Sequence, residues 1–183
     1  MRILGLSGSL RENSHNTRLL ASAGTLLPSG VELVVFDGLA AVPYYSEDDE
    51  LPTPSAVAAL ASAASQADAV LIATPEYNGS IPGQLKNALD WISRPSAGAP
   101  LRGRPAAVIG ASTGLFGAVW AQAEMRKVLS TMGARVVDRE LPIGQADEAL
   151  GTDGLPLEPD AVRELRALLS ELVELAEPMR EAA

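Results

Sequence analysis

The chain contains no cysteine. Disulfides, thiolate metal sites and a catalytic thiol are therefore excluded at the outset. Histidine occurs once, as His15. A lone imidazole without an identifiable orienting partner more often caps or packs than acts as a general base. No apolar run approaches the roughly 20 residues a membrane-spanning helix needs. The opening Met1-Arg-Ile-Leu-Gly5 runs straight into a strand, without a charged region and a long apolar stretch behind it. These features predict a soluble, cytoplasmic protein. Positive charge is scarce, with 14 Lys and Arg against 23 Asp and Glu and a net charge of −9. That balance disfavours nucleic acid or an anionic membrane as partner. It also makes single arginines informative, because an anionic cofactor must be held by a few local positive groups.

What is present is apolar mass, 47% of 183 residues, enough for the core of one domain spanning 1–183. Arg2 to Leu6 reads as a short apolar strand. A helix from about Ser14 carries Leu19, Leu20, Ala23, Leu26 and Leu27 as its apolar stripe, and Pro28-Ser-Gly30 stops it. Val31 to Phe36 is the second strand. Asp37 to Pro54 is a long loop with Pro43-Tyr44-Tyr45 and the acidic run Glu47 to Glu50, the pattern of a solvated surface loop. An Ala-rich helix from Pro54-Ser55 to about Ala67 leads to a third strand, Asp68 to Thr74. Arg104 to Ala111 and Ala134 to Asp138 supply the fourth and fifth strands, separated by a helix with Val119, Trp120, Met125, Val128 and Leu129. A last helix runs from Pro159 to about Glu177. Five strands alternating with five helices specify a parallel sheet covered on both faces. With right-handed crossovers, this predicts a flavodoxin-like three-layer α/β sandwich of strand order 2-1-3-4-5.

In that order the loops after strands one, three and four open at one sheet edge, where such sheets bind ligands. The third-strand loop begins where Thr74-Pro75 halts the ladder. Glu76-Tyr77-Asn78-Gly79 then brings an acid, a ring and a flexible turn into four residues. Ser80 reads as a cap and Pro82 as a first-turn residue for a helix with Leu85, Ala88, Leu89 and Ile92 at its spacing. The first loop, Gly8 to Thr17, sets hydroxyls and Arg11 ahead of a helix start. It suits either a phosphate cradle or an ordinary cap. It lacks the Gly-Lys-Ser/Thr of a Walker loop, the GxGxxG of a dinucleotide fold and the thiol of a cysteine phosphatase. The fourth loop, Gly110 to Gly117, is again built of small residues that let backbone come close to something. Together the three suit a ligand with a phosphate at one end and a planar ring at the other, such as flavin mononucleotide (FMN).

In order and spacing GSLRENSHN, TPEYNGSIPGQLKNALDWISRP and GASTGLFGAVWAQAEMRKVL resemble the NAD(P)H-dependent FMN reductases. These flavodoxin-like enzymes include chromate, azo-dye and quinone reductases. The similarity spans about Met1 to Gly144. It implies that Ser9, Arg11, Ser14, Asn16 and Thr17 hold the FMN phosphate. It further implies that Pro75, Glu76, Tyr77, Asn78 and Gly79 line the flavin ring, with Ser112, Thr113, Gly114 and Gly117 on its other side. Ala118 departs from a glycine run common in the family. A flavin carries hydride chemistry itself, so no catalytic side chain and no metal is expected. The expected reaction moves hydride from NADPH or NADH through FMN to a quinone, azo compound, free flavin or metal oxyanion, in ping-pong fashion. A flavodoxin-type electron carrier is the alternative, disfavoured by Arg11 and the PEYNGSIPG segment. A regulatory FMN-binding protein is a third. Trp91 and Trp120 read as core or subunit contacts. Trp91, Leu85, Leu89 and Ile92 offer more apolar surface than one sheet face needs, which predicts packing between subunits. The resemblance likewise implies a homodimer or homotetramer.

Overall fold

The computed structural model describes residues 1–181. Its sheet is parallel, in the order β2-β1-β3-β4-β5. The strands are β1 Arg2–Ser7, β2 Glu32–Val35, β3 Ala69–Ala73, β4 Pro105–Ala111 and β5 Arg135–Val136. β3 and β4 are buried at every position, as expected of central strands that carry helices on both faces. The flavodoxin-like order 2-1-3-4-5 is thus the observed one.

Two apolar layers follow. On one face α2 (Ser55–Ser65), α3 (Gly83–Ile92) and α4 (Val119–Thr131) enclose Leu6, Val70, Ile72, Trp91, Val108 and Met125. On the other, α1 (His15–Ala23) and the long α6 (Pro159–Glu181) enclose Ile3, Leu20, Leu71, Ile109, Leu165 and Leu172. Between them lies α5, the four-residue helix Ala146–Ala149. The α1 helix starts where the sequence indicates, with Ser14 as its N-cap accepting from Thr17 N–H. It ends early, because Gly24–Leu26 tightens into a 3₁₀ turn.

Three expectations change. Ser80 does not cap α3: its hydroxyl donates to Glu124 Oε2 at 2.6 Å, and Pro82 stands at the N-cap position. Trp120 is not core but 52% exposed, whereas Trp91 is 1% exposed. Leu85, Leu89 and Ile92 are also buried within the chain's own core, so α3 has no surplus apolar stripe to offer a second subunit.

The polar side of α3 has a different task. Gln84 Nε2 donates to the carbonyls of Leu39 and Val42, and Asn87 Nδ2 and Trp91 Nε1 both donate to Pro43 O. Asn87 Oδ1 accepts from Tyr45 N–H. The long 37–54 loop, which contains two 3₁₀ turns, is thereby fastened along the helix. Tyr45 continues the attachment: its ring meets Trp91 edge-on, Arg94 lies 5.0 Å above it, and its hydroxyl donates to Glu50 at 2.8 Å.

The fifth strand is split. β5 pairs with Pro105 and Ala106 at the start of β4. A sixth strand the sequence did not signal, β6 (Pro142–Ile143), pairs with Gly110 and Ala111 at its end. From Ala106 to Gly110 β4 advances four residues, while from Val136 to Pro142 its partner advances six, leaving two extra residues in a bulge. Gln122, fully buried on α4, spans the defect. Its Nε2 donates to Leu141 O, and its Oε1 accepts from Leu141 N–H. A side-chain amide has one acceptor and one donor end, so it substitutes for a missing strand.

Candidate active site

The carboxyl ends of β1, β3 and β4 deliver their loops to one cleft of about 370 Å³. Ser9, Arg11, Ser14, His15 and Asn16 line it from the first loop, Pro75, Glu76 and Tyr77 from the third, and Ala111, Ser112 and Thr113 from the fourth. Asp147, on α5, completes the wall.

On the first loop, Ser14 satisfies one N–H of α1, and the remaining first-turn N–H groups have no intrahelical acceptor. Ser9 Oγ accepts from Arg11 N–H at 3.4 Å, which turns the loop back over the helix start. The Arg11 side chain is exposed and in no ion pair among the described residues. Free donors, a helix N-terminus and an uncommitted guanidinium form a receptor for a phosphate group. A phosphate ester therefore fits what is present.

Two predicted phosphate ligands have other partners. Asn16 is 3% exposed; its Nδ2 donates to Ala111 O at 2.8 Å and its Oδ1 accepts from Ala111 N–H at 2.9 Å. It lines the cleft while tying α1 to the end of β4. Thr17 shares a 2.7 Å hydroxyl–hydroxyl bond with Ser7 and lies outside the lining.

The third loop is a hairpin. Tyr77 and Ser80 exchange both backbone hydrogen bonds, at 3.0 and 3.1 Å, around Asn78 and Gly79 with φ of 54° and 74°. Two successive positive φ angles are the type I′ requirement, which Asn-Gly meets with least strain. Asn78 and Gly79 thus form the exposed tip and are not in the lining, while Tyr77 is carried to the mouth. Glu76 Oε2 accepts from Ala121 N–H in the first turn of α4 at 3.1 Å. In return Glu124 of α4 accepts from Ser80 and from Ile81 N–H. Loop and helix are joined by two carboxylates, the first at a helix N-terminus, where negative charge is favoured.

On the fourth loop, Ser112 and Thr113 face the cleft, and a Cβ at Gly114 beside them would meet only Ser112 Oγ, at 3.7 Å. Gly117 faces inward. Its φ is +59°, and a Cβ there would lie 2.5 Å from Ile143 N and Pro142 C. This glycine permits close approach of β6, not of the cleft. Ala118 adopts φ 60°, ψ 32°, the left-handed conformation that glycine takes with less strain than alanine.

His15 does have an orienting partner, one the sequence did not reveal. Its Nε2 lies 2.9 Å from Asp147 Oδ1, and its Nδ1 lies 2.9 Å from the Arg18 guanidinium. An arginine can only donate, so Nδ1 accepts and the ring proton faces Asp147. No motif marks the 144–158 segment, and only the fold brings Asp147 within reach.

Tyr77 in the lining is exposed, and so are Leu10 on the first loop, Leu115 and Phe116 on the fourth, and Trp120 at the start of α4. Phe116 and Trp120 meet edge-on at 5.1 Å. A polar cleft that fits phosphate, at the carboxyl edge of a parallel 2-1-3-4-5 sheet, is the arrangement of a flavodoxin-like nucleotide-binding protein.

Residues 1–148 match the family model of the NADPH-dependent FMN reductases, and the chain belongs to that family. It is an oxidoreductase with FMN as cofactor and NAD(P)H as electron donor. It is 41% identical to the NAD(P)H-dependent FMN reductase PA1204 of Pseudomonas aeruginosa, over 90% of this chain and 89% of that one. It is 34% identical to a 2-hydroxy-1,4-benzoquinone reductase from a Burkholderia species, over 92% of both. Among solved structures, the flavoenzyme NAD(P)H:(acceptor) oxidoreductase FerB of Paracoccus denitrificans superposes with a TM-score of 0.84 at 32% identity, covering 97% of each chain. No helix among the described residues is long and apolar enough to cross a membrane.

Proposed function

We propose that the chain is one cytoplasmic FMN-binding domain, residues 1–183, that oxidises NADPH or NADH and reduces a small acceptor in ping-pong fashion. The observation that carries this reading is the convergence of three loops on a single mouth. Ser9, Arg11 and the N-terminus of α1 bind the cofactor phosphate. Pro75, Glu76 and Tyr77 on one side, and Ser112, Thr113 and Gly114 on the other, set the plane of the ring. FMN held there would supply the hydride and electron transfer between nicotinamide and acceptor. Tyr77 and the Phe116–Trp120 pair offer aromatic faces to whichever planar substrate occupies the mouth. Donor and acceptor share that mouth, so each must leave before the other enters. No cleft side chain is assigned a proton-transfer role.

The apolar rim favours a planar organic acceptor, a quinone or azo compound or free flavin, over an oxyanion such as chromate. The benzoquinone reductase among the relatives agrees with this preference. Leu10, Leu115 and Trp120 also supply apolar surface for a homodimer or homotetramer, which α3 does not.

The test has two parts. Stopped-flow reduction of the FMN-loaded protein by NADPH and by NADH, without acceptor, should be fast. Steady-state rates at several quinone concentrations should then give parallel double-reciprocal lines. Bound flavin that neither nucleotide reduces would make the protein an electron carrier. Intersecting lines would rule out alternating use of one mouth.

A further inference from the structure

A second groove, of about 350 Å³, lies between the C-terminal halves of α3 and α4. It sits at the sheet edge opposite the cleft, beside the turn that leads into β4. The chain has only two lysines, Lys86 and Lys127, and both line this groove together with Arg94 and Arg102. The one carboxylate in the lining is Asp90. Asp90 holds Lys86 Nζ with both oxygens, at 2.6 and 2.8 Å. Arg94, Arg102 and Lys127 form no ion pair among the described residues.

Three cations without an ion pair around one groove run against the charge of the chain. Acids outnumber bases by 23 to 14, yet the single carboxylate in this lining is already held by Lys86. Arg94 and the Arg102 backbone are held in place. Arg94 lies over the Tyr45 ring, and its Nε is sealed from water with no acceptor. Arg102 is set in place by its neighbour, since Gly103 N–H donates to Gly133 O just past α4, at 2.8 Å. A charged donor without a partner is among the costlier groups to bury. Helix C-termini attract cations, but that attraction leaves the sealed Nε unpaired.

We propose that this groove is a binding site for a phosphate-bearing small anion, separate from the cofactor cleft. Two guanidinium groups offer paired donors matched to phosphoryl oxygens, and Lys127 adds a point charge. Three positive charges with no ion-paired carboxylate favour a multiply charged ligand over a monocarboxylate. Val128 and Met132 give the groove an apolar wall against which the remainder of such a molecule can rest.

The probe is pyrophosphate, titrated calorimetrically into the FMN-saturated protein so that the phosphate site of the cleft is filled. Sodium chloride keeps ionic strength fixed, since exposed cations respond to salt alone. The expected result is saturable binding that weakens about tenfold or more in the R102Q/K127Q double variant. Both side chains are exposed, and an unchanged melting temperature without pyrophosphate verifies folding. No saturable heat in the wild type would overturn the proposal. Equal affinity in the double variant would do the same. So would light scattering in which the double variant alone changes its association state, because the groove would then be a contact between copies of the chain.

Discussion

Asn16 and Ala111 are 95 residues apart and exchange two hydrogen bonds, amide side chain against backbone, at 2.8 and 2.9 Å. One residue starts the first helix, the other ends the fourth strand, and the cleft opens between their loops. The spacing of two walls of the site thus rests on one buried side chain.

Asn16→Leu keeps the volume and removes both partners of Ala111. Two buried backbone groups would then lack partners, at about 1–3 kcal/mol each. We expect the FMN-free protein to lose roughly 2–4 kcal/mol by urea denaturation. A loss below about 1 kcal/mol would show that water or a neighbour takes over the clamp.

Arg11 has the opposite profile. It touches no acid in the described structure, so Arg11→Ala should leave the stability of the cofactor-free protein unchanged. FMN affinity, read by flavin fluorescence, should fall at least about tenfold, or about 1.4 kcal/mol. Unchanged affinity would place the phosphate elsewhere.

Gly114 and Gly117 occupy one loop and should respond differently. At Gly117 an added methyl would meet Pro142 and Ile143 backbone at 2.5 Å in a left-handed conformation. Gly117→Ala is therefore expected to cost about 3 kcal/mol or more. At Gly114 the nearest atom to a new Cβ is Ser112 Oγ at 3.7 Å, so Gly114→Ala should stay within about 1 kcal/mol of wild type. Thermal melts of both variants without cofactor decide the matter, and similar losses would refute the distinction.

Glu50 predicts an acid-sensitive loop. The Tyr45 hydroxyl, and after it Ser96, donate to its carboxylate and hold it below the ordinary value of 4.5. Tyr45 is in turn raised, chiefly by its burial and then by that hydrogen bond. The folded chain therefore binds the Glu50 proton more weakly than the unfolded chain. The stabilisation is complete above the ordinary carboxylate range and is lost as pH falls through the depressed folded value. Hydrogen exchange in the 44–53 segment should accelerate, relative to the core, below about pH 4.5. Glu50→Gln should flatten that dependence. An identical pH profile in the variant would exclude Glu50 as its source.

The sequence revealed the layers and the cleft because both leave local marks. Buried central strands read as continuous apolar runs, and Ser14, Pro75 and Asn78-Gly79 mark starts and turns through their own backbone chemistry. Partnerships across the chain leave no such mark. Asn16 reads as a phosphate contact, and its side chain is found paired with Ala111; Gly117 reads as a ring contact, and β6 is found against it. Asp147 has no motif at all. Trp120 and Trp91 both lie among apolar neighbours in sequence, but only Trp91 is buried. The second groove was equally hidden, since its four cations come from three segments.

The interrupted fifth strand bears on how the molecule behaves in a crowded solution. A continuous outer strand would present an unbroken row of amide and carbonyl groups, a template on which another chain could add a strand. Here that border is two short pairings separated by a bulge, where the buried Gln122 pairs the buried Leu141 N–H and carbonyl. The opposite border, β2, is only four residues long. Neither margin offers a long ladder to a neighbour, so the fold resists runaway edge-to-edge polymerisation even when its cleft holds no cofactor.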